Sequence, residues 1–173
     1  MTAPPKERVG ADLFMEREAV ISACGRYRYL LRRAWDHGKP RALFVMLNPS
    51  TADAEVDDAT IRSCIRLSRS LGYGSFEVVN LFGFRATDPN ALGTADNPVG
   101  PDNDRIAEAA ITRCDVGICA WGAHWSAAGR SRRLFEMITA ARPAAYCFGA
   151  TKSGAPKHPL YIKSGTLLEV YHV

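Results

Sequence analysis

Apolar runs without polar alternation recur along the chain: residues 43–47, 76–84, 115–122 and 144–149. A run of that kind reads as a strand buried on both faces, which is the habit of parallel sheets covered by helices. Between the runs, apolar residues return at helical spacing. Ile61, Cys64, Ile65 and Leu71 share one face of a segment that Asp57 or Asp58 can cap and that Gly72-Tyr73-Gly74 ends. A second helix is expected over residues 104–114, capped by Asp102 or Asn103, and a third over residues 131–140, broken by Pro143. Strands alternating with helices give right-handed βαβ units. Ahead of them, residues 19–35 alternate Arg26 and Arg28 with Tyr27 and Tyr29, the period of a β-hairpin turning at Cys24-Gly25. Residues 166–171 close the chain as a short helix or extended segment.

The predicted fold class is therefore α/β: a three-layer α/β/α sandwich with a central four-stranded parallel sheet and an N-terminal β-hairpin. Residues 1–12 are expected to be a flexible arm and residues 13–173 a single domain. At 173 residues and 47% hydrophobic content the chain can bury a sizeable core. No apolar run is long enough to span a membrane, and MTAPPKERVGAD lacks the apolar stretch of a signal peptide. The expected location is the cytoplasm, with no membrane partner.

Charge and cysteine content narrow the chemistry. The net charge of +4 permits an anionic partner. Arginines cluster at Arg62, Arg66 and Arg69, and again at Arg130, Arg132 and Arg133. They are candidate phosphate contacts, although solvated helix faces explain them as well. The five cysteines form no C-x-x-C and read as buried free thiols, so neither a metal site nor a cofactor is expected. There is no G-x-G-x-x-G, P-loop or G-x-S-x-G to support a nucleotide- or serine-hydrolase reading.

The ends of the apolar runs carry the candidate chemistry. The first stops at Asn48-Pro49-Ser50, where proline keeps Asn48 extended at the carboxyl edge of a strand. In open α/β sheets that edge is where ligands bind. Taken alone, Asn48-Pro49 is also an ordinary turn. The second run contains Asn80, followed by Phe82 and Arg85 and a long Pro-, Gly- and Asn-rich loop through Pro101. The third ends at Trp121-Gly122, and His158-Pro159 follows the fourth. Two amides offer the donors and acceptors that match a nucleobase edge. An aromatic ring can stack on the base, and a histidine can donate to a carbonyl oxygen. Asp53, Asp57 and Asp58 either orient a water or cap the first helix.

MLNPSTAD, VVNLFGFRATDP, NPVGPDND and KHPLY, in that order, resemble the bacterial family filed as domain of unknown function 1643, over most of the chain. That resemblance implies no activity. The strand-end motifs also resemble those of the uracil-DNA glycosylase superfamily. Its mismatch-specific branch ends the first strand in G-I-N-P-G, matched here by Met46 to Ser50, and the resemblance implies that Asn48 positions the attacking water. It implies likewise that Asn80 reads the base edge, that Trp121-Gly122 closes the third strand, and that His158 donates to the base carbonyl. Met46 and Ser50 stand where that branch has glycines, and Leu160 where a serine follows His-Pro.

The expected function is thus hydrolysis of the N-glycosidic bond of a damaged or modified base in DNA. Asn48 and His158 would be catalytic, and Pro49, Ser50, Asn80, Phe82, Arg85, Trp121 and Gly122 would bind substrate. The alternatives are a hydrolase of a free nucleoside or modified nucleotide, and a non-catalytic nucleic-acid or base-binding module.

Overall fold

The computed structural model describes residues 14–173, and the arm expected over residues 1–12 lies outside them. In chain order the elements are strands β1 (Glu16–Ile21), β2 (Arg28–Ala34) and β3 (Arg41–Met46), helix α1 (Ala59–Ser70), strand β4 (Ser75–Asn80), helix α2 (Asn103–Arg113), strand β5 (Val116–Cys119), helix α3 (Ala127–Ala141) and strands β6 (Tyr146–Cys147) and β7 (Glu169–Val170). Short 3-10 turns lie at Pro89–Gly93 and Pro159–Tyr161.

The architecture is mixed α/β. One seven-stranded sheet has the order β1-β2-β4-β3-β5-β6-β7. β3 pairs in parallel with β4 and with β5, and β5 in parallel with β6. The sheet exceeds the expected four strands for two reasons. The hairpin continues it, because β2 lies antiparallel along β4, and the tail adds β7 antiparallel to β6.

Side chains leave the sheet alternately to its two faces, as the pleat requires. Phe44, Met46, Phe76, Val78 and Ile118 pack with Ile61, Cys64 and Leu67 of α1. Leu43, Val45, Val79 and Cys119 pack with Ala107, Ala110 and Ile111 of α2 and Leu134 and Ile138 of α3. At Gly117 on β5 an added Cβ would lie 2.7 Å from Ile138 Cγ2, so the missing side chain lets α3 sit close to the sheet.

Helix boundaries follow local chemistry. Asp58, not Asp57, caps α1: its Oδ1 accepts the Ile61 N–H at 2.9 Å. Asn103 begins α2 but caps nothing; its side chain is buried and donates to the Asn80 carbonyl at 2.9 Å. α3 starts at Ala127, before the expected Ser131, because Ala127 and Ala128 favour helix and the turn absorbs Gly129. Cys64, Cys114, Cys119 and Cys147 are buried free thiols, whereas Cys24 is exposed in the hairpin turn. Among the described residues no helix is long and apolar enough to cross a membrane.

Candidate functional site

At the carboxyl edge of β3 and β5 lies a cavity of about 430 Å³. Its lining includes Asn48, Ser50, Trp121 and His158 from the sequence candidates, together with Arg28, Asp58, Thr60, His124 and Tyr161.

Asn48 is fixed by its amide nitrogen. Nδ2 donates to the Ala86 carbonyl at 2.8 Å and to the Pro49 carbonyl at 3.2 Å. With both hydrogens engaged, Oδ1 is the polar atom Asn48 offers the cavity, and it is an acceptor.

His158 is delivered by a loop that doubles back. Residues 149–157 form a small hairpin: Thr151 N–H donates to the Ala155 carbonyl at 2.8 Å, and Lys157 N–H to the Gly149 carbonyl at 2.9 Å. Gly122 ties this hairpin to the end of β5 by donating its N–H to the Pro156 carbonyl at 3.0 Å. Gly122 reaches that geometry at φ +75°, a backbone region that penalises any side chain. His158 Nδ1 accepts the Leu160 N–H at 3.3 Å, so in the neutral ring the proton sits on Nε2. Burial lowers the imidazole pKa, partly offset by the Asp58 charge, which favours that neutral donor at pH 7.

Arg28 and Asp58 bring charge to the cavity. Arg28 is 3% exposed. Its Nη1 donates to the Ala52 carbonyl at 2.7 Å, and its buried Nε has no partner among the described residues. Desolvation, with the Asp58 charge opposing and Arg85 and Arg33 adding repulsion, pushes its pKa down to about 10, so it stays charged at neutral pH. Among the described residues Asp58 is the only carboxylate in the lining. Asp53 and Asp57 are spent on structure: Asp53 accepts the Glu55 and Val56 N–H groups, and Asp57 holds Arg17 and Arg33.

Several expected site residues lie elsewhere. Asn80 is 1% exposed and does not line the cavity; its buried Nδ2 has no partner among the described residues, and its carbonyl receives Asn103. The Asn80 side chain follows the pleat inward with Val78 instead of turning out beyond the strand. Phe82 belongs to the core under α2 and α3. Pro49 is buried and serves through its carbonyl, while Arg85 donates to the Gly25 carbonyl at 3.4 Å. Gly122 lines a neighbouring cavity. Trp121 is 4% exposed and packs edge-on against Tyr171, so it forms wall and offers no stacking face.

The six clustered arginines do not form one face, because α1 and α3 cover opposite sides of the sheet. Most are held within the protein. Arg62 donates to the Asp57 carbonyl, Arg66 to the Ile162 carbonyl, and Arg69 lies over Trp35. Arg130 pairs with Asp104 and Arg132 with Glu136, and Arg133 stands 4.0 Å from Asp104.

Sequence reasoning assigned Arg28 to the hairpin alternation and so missed it. The available signal was a strand arginine flanked by Tyr27 and Tyr29. Tyr161 was hidden in the tail; it is 79% exposed at the cavity rim.

These features define an α/β protein whose polar cavity opens at the carboxyl edge of its sheet. The chain belongs to the family described as protein of unknown function (DUF1643), whose model matches residues 28–160. No curated protein and no solved structure matches it.

Proposed function

We propose that the cavity binds a nucleobase-bearing substrate and hydrolyses its N-glycosidic bond, as the likeness of the strand-end motifs to uracil-DNA glycosylases suggests. One observation carries this reading. In a single cavity, Asn48 is left with a free acceptor and His158 with a free donor, each because its other polar atom is already bonded. Cleavage leaves positive charge on the sugar and negative charge on the departing base. Asn48 Oδ1 orients a water toward the sugar carbon but cannot take its proton. Asp58, the carboxylate of the lining, accepts that proton as the water's oxygen bonds to carbon. His158 Nε2–H donates to the base oxygen on which charge develops. The exposed Tyr161 ring at the rim is the stacking surface.

A free nucleotide is favoured over duplex DNA by the separation of the arginine clusters and their internal bonds. Incubation with uracil-, hypoxanthine- and xanthine-containing oligonucleotides and with the matching monophosphates, followed by chromatography for free base, tests both readings. Release from monophosphates that persists in high salt supports the small-substrate form, and release from DNA that falls steeply with salt supports the other. A bound but uncleaved base would leave a binding module.

A further inference from the structure

Two arginines of β2 point to the α1 side of the sheet and are almost fully buried, yet their environments differ. Arg33, at 0% exposure, is satisfied: it pairs with Asp57 and donates to the Asp53 and Arg32 carbonyls. Among the described residues the Arg28 guanidinium makes one hydrogen bond, to the Ala52 carbonyl, and no carboxylate lies within ion-pair distance. It lines the cavity. A buried guanidinium without a counter-charge is costly and is normally paired. The lining also includes Thr60 and Ile61, in the first turn of α1, where the helix dipole favours negative charge. The carboxylate whose charge acts on Arg28 is Asp58, which already accepts the Ile61 N–H.

We infer that Arg28 is an oxyanion-binding residue and that the natural ligand of the cavity carries a phosphate or carboxylate seated against its guanidinium. The inference rests on the cavity being the ligand site of the proposed function, but not on the reaction assigned to it. A guanidinium fork matches both oxyanions in geometry and charge. A volume of about 430 Å³ suits one small ligand.

The test is calorimetric titration of the full chain with inorganic phosphate, with acetate, and with uridine against uridine monophosphate. The wild type should bind at least one of the two simple anions. Stronger binding of phosphate than acetate would identify a phosphate ligand, and the reverse order a carboxylate. With a phosphate ligand, uridine monophosphate should bind about tenfold to a hundredfold more tightly than uridine. Arg28→Met should abolish anion binding. Asp58→Asn keeps an N-cap residue while removing the opposing charge, so it should tighten anion binding several-fold, and it tests the idea even if Arg28→Met does not fold. No anion binding by wild type, or equal binding by wild type and Arg28→Met, or no tightening in Asp58→Asn, would overturn it. Anion binding without base release would sink the hydrolase reading alone. Base release from a nucleoside at the same rate as from its monophosphate, unchanged by Arg28→Met, would sink this inference alone.

Discussion

At the scale of single residues, the cavity is shaped by which atoms the fold has already used. His158 shows this best, because its Nδ1 bond to Leu160 both caps the turn at Pro159–Tyr161 and fixes the donor on Nε2. Its pKa lies below the ordinary 6.5, so on acidification the unfolded chain takes up this proton before the folded chain does. The stability His158 contributes is therefore complete above that value and is lost as pH falls toward the folded pKa. His158→Asn retains an acceptor for the Leu160 N–H but does not titrate. Thermal unfolding of this variant should lose less between pH 7 and pH 5.5 than that of wild type, and base release should fall because Asn cannot reach as far as Nε2. An identical pH dependence in the two proteins would contradict this role. Tyr161→Ala removes the exposed ring at the rim and should weaken binding of a base about tenfold to a hundredfold with little change in melting temperature, as stacking energies imply. Unchanged affinity in a titration would remove Tyr161 from the site.

At the scale of elements, what sequence made legible was what local pattern controls. The buried runs, the hairpin and the α1 cap all follow from apolar spacing, Gly25 and Asp58. The path of residues 149–157 was not legible, because hydrogen bonds between Gly122 and Pro156 and between Lys157 and Gly149 set it, and these join residues distant in pattern. The same limit hid Arg28: its side chain turns to the α1 side at a register irregularity, where Val20 pairs with Leu30 but Ile21 pairs with Arg28. Asn80 failed in the opposite sense. It is the last residue of β4, where the apolar pattern puts a strand end, but it is still paired with Met46 and its side chain is held inside the sheet instead of reaching the cavity. An element-scale prediction concerns β4. Glu77, 1% exposed, receives Arg113 through two bonds of 2.8 and 2.6 Å and Arg41 at 3.3 Å. Glu77→Gln should cost about 1–3 kcal/mol, since both arginines are partly solvated and keep much of their hydration. A lower urea midpoint at unchanged slope is the expected reading, and an unchanged midpoint would show that the cluster adds no stability.

At the scale of the whole molecule, the parallel pairing of β4, β3, β5 and β6 makes their carboxyl ends point the same way. That common direction is why Asn48 from the first apolar run, Trp121 from the third and His158 beyond the fourth meet in one cavity although far apart in sequence. The hairpin and β7 enlarge the sheet at its two edges, and the hairpin brings Arg28 beneath the site. The central claim is that Asn48 places the water that breaks an N-glycosidic bond. Its side-chain bonds to Ala86 and Pro49 hold a surface loop, so Asn48→Ala should lower stability by only about 1 kcal/mol. The most direct measurement is the rate of free-base release by wild type and Asn48→Ala, across oligonucleotides and monophosphates carrying uracil, hypoxanthine or xanthine. The account predicts release by wild type from at least one of these and a loss on the order of a hundredfold or more in the variant, with its melting curve nearly unchanged. Equal rates in the two proteins, or no release from any substrate, would contradict it.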